Sequence, residues 1–97
     1  MTEKEKMLRG MLFTPSHDKE LLADLATCKA LCRQFNALAY QAEDIESAQA
    51  LLRRLLGAAG EGLRIEPPFW CDYGCNITVG RNFFMNHGGV ILDAGGV

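Results

Sequence analysis

Ile65-Glu66-Pro67-Pro68-Phe69-Trp70-Cys71-Asp72-Tyr73-Gly74-Cys75-Asn76-Ile77-Thr78-Val79-Gly80-Arg81-Asn82-Phe83-Phe84-Met85-Asn86-His87-Gly88-Gly89-Val90-Ile91-Leu92-Asp93-Ala94-Gly95-Gly96-Val97 is the stretch whose reading decides the fold. Taken in steps of six it contains two columns. Tyr73, Val79, Met85, Ile91 and Val97 form one; Ile65, Cys71, Ile77, Phe83 and Gly89 form the other, apolar until its last member. A six-residue period with inward aliphatic residues is the signature of a hexapeptide parallel β-helix, in which three short strands and three turns close one triangular coil. Turn-forming groups fall between the predicted strands: Tyr73-Gly74, Gly80-Arg81-Asn82, Gly88-Gly89 and Gly95-Gly96. Glycine and asparagine tolerate the positive φ such corners need. An antiparallel sandwich is the competing reading, since glycine-punctuated apolar runs also suit hairpins.

Upstream of this stretch the pattern is helical. A first helix is predicted over Glu3–Met11, with Met7, Leu8 and Met11 as its apolar stripe, ended by Gly10 and Thr14-Pro15-Ser16. A second runs from Asp18 to Ala39, with Leu21, Leu22, Leu25, Cys28, Leu31, Cys32 and Phe35 on one wide face and Ser16 or His17 near its N-cap. A third spans Glu43–Leu56, with Ile45, Ala48, Leu51, Leu52 and Leu55 opposite Glu46, Gln49, Arg53 and Arg54. Helices this short must bury their apolar faces against one another or against a larger body. The chain therefore reads as α+β: a helical unit over residues 2–60, then the first coil of a β-helix over residues 61–97.

Composition sets outer bounds. With 97 residues, 48% hydrophobic and 23% charged, this is ordinary globular material. A formal net charge of −2 gives no general attraction to nucleic acid or an anionic membrane. The charged start Thr2-Glu3-Lys4-Glu5-Lys6 and the lack of a long apolar run fit neither a signal peptide nor a membrane span, so a cytoplasmic location is expected.

The four cysteines form two C-x3-C pairs, Cys28/Cys32 and Cys71/Cys75. Four thiolates can close a zinc site, but Cys28 and Cys32 fall within a helix, where the spacing only places both on one face. Buried free thiols and no metal are the expectation, and disulfides are not expected without export.

The quoted residues carry a resemblance. Thr2 to Gly10, Phe13, Asp18-Lys19-Glu20-Leu21 and Cys32-Arg33-Gln34-Phe35-Asn36 resemble the helical domain of maltose and galactoside O-acetyltransferases. Ile65 to Gly74 is the most specific match, followed by Asn76-Ile77, Val79-Gly80, Asn82 to Asn86 and Val90 to Asp93. The resemblance covers essentially the whole chain. It implies a left-handed β-helix, a homotrimer with active sites between subunits, and acetyl transfer from acetyl-CoA to a sugar hydroxyl. A histidine would act as general base on that hydroxyl. In the family this base lies one coil beyond Val90–Asp93, and neither His17 nor His87 matches it.

Asn86 matches the family asparagine beside that base and the acetyl group, and it equally suits a corner of the coil. Asp72 matches a polar contact to the acceptor sugar, and Asp93 an acidic position flanking the same cleft; a solvated carboxylate is the ordinary alternative for both. Trp70 and Tyr73 could stack on a sugar, although Tyr73 belongs to the inward column. Met85 replaces the usual alanine beside Asn86, which predicts a narrower or reshaped cleft. Val97 opens a hexapeptide that the sequence does not complete, so a truncated and catalytically inactive chain is expected. A non-catalytic oligomerisation or interaction module is the alternative function.

Overall fold

The computed structural model describes residues 1–39 and 45–97, with only the backbone of Ile45. Helix α1 spans Glu3–Leu8, a single 3-10 turn covers Pro15–His17, helix α2 spans Lys19–Leu38 and helix α3 spans Ile45–Leu55. The expected start of the third helix at Glu43 lies outside the described residues.

Helix α1 is shorter than its pattern. Gly10 adopts φ +72°, Gly10 N–H donates to the Met7 carbonyl and Met11 N–H reaches back to that of Lys6. This double closure is a Schellman termination. It leaves only Met7 of the expected stripe buried, with Leu8 and Met11 exposed. The N-cap of α2 is Asp18 rather than Ser16 or His17: its carboxylate accepts from the amides of Glu20 and Leu21. A charged acceptor suits that position better than a hydroxyl, because it also meets the positive end of the helix dipole. Of the predicted α2 face, Leu21, Cys28, Cys32 and Phe35 are buried, and Leu22 is exposed.

Six short strands follow: β1 (Ala58–Ala59), β2 (Arg64–Ile65), β3 (Phe69–Cys71), β4 (Thr78–Val79), β5 (Phe84–Met85) and β6 (Gly89–Ile91). They pair in parallel as β1–β4, β2–β5 and β3–β6. All three pairings are parallel, with no hairpin among the described residues, as a solenoid requires and a sandwich does not. The coil begins already at β1, so the strands form two turns.

Each pairing joins residues twenty apart: Ala58 with Thr78, Arg64 with Phe84, Phe69 with Gly89. Three hexapeptides account for eighteen, and the extra pair sits in the long corner from Asp72 to Ile77. This slip explains the two columns. Ile65, Cys71 and Ile77 point inward in the first turn; Val79, Met85 and Ile91 stack in the second, with Ile65 over Met85 and Cys71 over Ile91. Tyr73 lies in the slipped corner and is only half-buried, so it is not a core residue. Met85 is turned into the coil, where a Cβ on Gly89 would overlap its Sδ. It fills the space that the glycine leaves.

One core joins both halves. Cys28, Cys32 and Phe35 of α2, Leu51, Leu52 and Leu55 of α3, and Ile65, Phe69, Cys71 and Ile77 of the first turn bury each other continuously. The helices also cover the first turn's unpaired backbone. Asn36 bonds both the N–H and the carbonyl of Phe69, Lys29 Nζ donates to the Cys71 carbonyl, and the Arg53 guanidinium donates to the carbonyls of Ala59 and Gly60. An open solenoid end exposes a strand edge that invites pairing; here side chains of α2 and α3 occupy it.

Candidate functional site at the coil corners

The three residues singled out in the sequence stand on two corners. Asp72 and Asp93 share one, and Asn86 lies on another, at the opposite end of β6 from Asp93. No hydrogen bond among the described residues connects Asn86 to either aspartate.

Asp93 is fully buried, at 0% exposure. Its Oδ1 accepts from the amides of Asp72 (3.1 Å) and Tyr73 (2.8 Å), its Oδ2 from the amide of Asn76 (3.3 Å), and its own carbonyl accepts from Asn76 Nδ2 (2.9 Å). A carboxylate loaded with three backbone donors is a strong, charge-assisted brace. In this structure Asp93 holds the Asp72–Asn76 corner in place and does not face a cleft. The expectation of a sugar-contacting carboxylate is met with a buried one, because the long corner needed an acceptor for its converging amides.

Asp72 keeps an open carboxylate, half-exposed, with Lys29 Nζ at 3.3 Å from Oδ1. The same ammonium lies 2.5 Å from the Cys71 carbonyl. Lys29 was not singled out in the sequence. Its signal was its spacing: Lys29 and Asn36 sit seven residues apart, both bordering the buried stripe of Cys28, Cys32 and Phe35. Beside Asp72, burial of the Tyr73 phenol, then the charge of Asp72, pushes the Tyr73 pKa upward, so it remains a hydrogen-bond donor.

Asn86 is exposed, and its Oδ1 accepts from the amide of His87 (2.8 Å), which leaves Nδ2 as a donor with no partner among the described residues. His87 places Nδ1 2.5 Å from the Pro67 carbonyl across the stacked corner below, while His17 is exposed in the 3-10 turn. Trp70 is half-buried on β3.

The cysteines regroup. Cys28, Cys32 and Cys71 converge, with all three Sγ atoms within 4.8 Å of one another, and Cys75 is exposed and outside the group. Cys28 Sγ stands 3.5 Å and Cys32 Sγ 3.9 Å from Cys71 Sγ. Hydrogen bonding from Cys28, then Cys71, holds Cys32 well below the usual thiol range, whereas Cys28 is pushed up to about 12 by its bond with Cys32 and Cys71 rises further through its bonds with Cys28 and Cys32. No helix among the described residues is long and apolar enough to cross a membrane.

A family profile for the maltose acetyltransferase hexapeptide capping motif matches residues 6–60. Nodulation protein L of Rhizobium meliloti is 41% identical over 92 residues, covering 95% of this chain and 49% of that protein. Among solved structures, a maltose O-acetyltransferase from Clostridium difficile superposes with a TM-score of 0.93 at 40% identity, covering 99% of this chain and 50% of that one. A galactoside acetyltransferase in complex with coenzyme A superposes at 0.87 with 30% identity, over 99% of this chain and 46% of that one. The chain spans about half the length of the curated relatives it matches.

Proposed function

The chain belongs to the maltose and galactoside acetyltransferase family, and from that membership we propose that it contributes the helical cap and two coil turns of an acetyl-CoA-dependent sugar O-acetyltransferase. The observation that carries this reading is the agreement with a maltose O-acetyltransferase over 99% of the chain at 40% identity. The coil is proposed to be left-handed, as in that family. The protein is proposed to be cytoplasmic and to assemble as a homotrimer in which corners of adjacent subunits meet. Exposed Phe84 on β5, Val90 on β6 and Leu92 just after β6 support such contacts. Assembly would also explain why Asn86 and Asp72 stand on separate corners of one chain.

The reaction forms a C–O bond between the acceptor hydroxyl and the acetyl carbon and breaks the C–S bond to coenzyme A. The proton leaves the hydroxyl to a general base, and the thiolate of coenzyme A departs. Asn86 is the auxiliary catalytic residue in this reading, because its free Nδ2 can donate to the acetyl oxygen as negative charge develops there. Asp72, oriented by Lys29, accepts hydrogen bonds from the sugar, and Asp93 positions that corner from behind. Neither His17 nor His87 is assigned the base. The 97-residue chain alone is therefore proposed to bind acetyl-CoA without turning it over.

Calorimetric titration with acetyl-CoA, followed by a thiol-release assay with a maltoside and a galactoside acceptor, tests the reading. Saturable binding without turnover is the expected result, with binding weakened in Asn86→Ala. Turnover by this chain would overturn the assignment of the base elsewhere. Silence in the titration would overturn the enzyme reading and favour an interaction module.

A further inference from the structure

We propose that Cys28, Cys32 and Cys71 form a three-thiolate site for one soft, thiophilic cation, with monovalent copper as the ion it fits. The three thiols themselves have no part in the acetyl transfer proposed above. Cys28 and Cys32 lie one turn apart on the buried face of α2, and Cys71 is the last residue of β3 and points into the same core. Three sulfurs bound in a plane at about 2.3 Å from a central ion stand about 4 Å apart. Here two edges of the triangle are 3.5 and 3.9 Å and none exceeds 4.8 Å. Little rearrangement separates the thiols as they stand from a ligating set, and all three rest on a helix or strand packed in the core, which fixes such a set better than loops do.

The donor set selects the class of ion. Thiolates favour soft ions such as monovalent copper. Among the described residues, no fourth cysteine, histidine or carboxylate joins the triangle. A closed zinc site takes four ligands, whereas monovalent copper is content with three. The Lys29 ammonium lies against the Cys71 carbonyl and offsets part of the negative charge that three thiolates bring into the core. A cavity of about 260 Å³, lined by Lys4, Asp24, Thr27, Leu31 and Tyr73 among others, reaches Cys28 from outside and gives the ion a route. Binding exchanges the thiol protons for the ion, releases those protons to solvent and changes no oxidation state.

The test uses the reduced protein under anaerobic conditions. Monovalent copper is added with a competing chromogenic chelator, and X-ray absorption reports the neighbours of the retained metal. One copper per chain with three sulfur neighbours is expected. Cys75→Ser should retain copper like the parent protein. Cys28→Ala and Cys32→Ala, both in helix α2 where alanine is well tolerated, should lose affinity by about 100-fold or more with helical circular dichroism unchanged. Loss of all copper to the chelator, two or four sulfur neighbours, equal loss in Cys75→Ser, or tighter retention of zinc than of copper would each overturn the proposal. Because the parent protein is read by absorption spectroscopy, the outcome does not hang on whether any variant folds.

Discussion

The side-chain amide of Asn36 stands in for a missing strand beside Phe69: its Oδ1 accepts the Phe69 N–H at 2.8 Å and its Nδ2 donates to the Phe69 carbonyl at 3.1 Å. Phe69 is fully buried at the first-turn edge, so no water can replace that partner cheaply. Asn36→Ala should lower unfolding stability by about 1–3 kcal/mol, the usual cost of stranding buried backbone groups. Asn36→Asp keeps the acceptor but sets a second oxygen against the Phe69 carbonyl, so it should also be less stable than the parent. Urea unfolding followed by circular dichroism checks the order; an Asn36→Ala variant as stable as the parent would show that the coil edge needs no cap.

Asp93 and Asp72 offer a paired contrast, since they share a corner but not a role. Asp93→Asn replaces one acceptor oxygen by a donor group that faces converging amides, and it should cost about 1–3 kcal/mol of stability. Asp72→Asn, on a half-exposed carboxylate whose ion pair with Lys29 is partly solvated, should shift stability by about 0.5 kcal/mol or less. If acceptor sugar binds at this corner, Asp72→Asn should weaken it with the melting temperature unchanged. A stable Asp93→Asn protein would remove the bracing role.

How much of this was legible in the sequence is seen at Ile77 and Val79. The period of six was readable because both residues are apolar and both begin or end a run of inward positions. The two-residue slip between them was not, because a corner of six residues and a corner of four carry the same glycines and asparagines; only the pairing of Ala58 with Thr78 fixes the twenty-residue turn. The burial of Asp93 was not legible for a related reason. An acidic residue after an apolar strand reads as exposed, and its burial depends on amides brought together from Asp72, Tyr73 and Asn76. The convergence of Cys71 with Cys28 and Cys32 likewise depends on packing α2 against β3, which no spacing along the chain encodes.

Gly74 is where the long corner meets the end of α3. It adopts φ +78°, and a Cβ there would overlap the Leu55 carbonyl oxygen. Both the left-handed backbone and the close approach therefore demand glycine. Gly74→Ala should cost about 1–3 kcal/mol or more, whereas Gly80→Ala, with open space around its Cβ and no positive φ, should be nearly neutral. Thermal unfolding of the two variants side by side is the measurement, and equal melting temperatures would sink the argument.

Acid should loosen the junction of α1 with α2 before it touches the core. The Lys4 amide, then that of Leu21, holds the Asp18 carboxyl below its ordinary value of 3.8, and the Thr14 amide, assisted by Lys6, holds Glu3 below 4.5. Both carboxyls are therefore more acidic folded than unfolded. Their contribution is present above the unfolded values and disappears as pH falls through the lower folded ones. As pH falls below the ordinary values of 4.5 for Glu3 and 3.8 for Asp18, the Thr14 and Lys4 amides respectively should progressively lose protection in hydrogen exchange corrected for intrinsic rates, while the amides of Cys32 and Phe35 keep theirs. Asp18→Asn should reduce the pH dependence at Lys4, because an amide cannot gain a proton in this range. Uniform loss of protection across α1 and α2 would mean that the helical cap opens as one unit, and the local coupling through Asp18 and Glu3 would then be wrong.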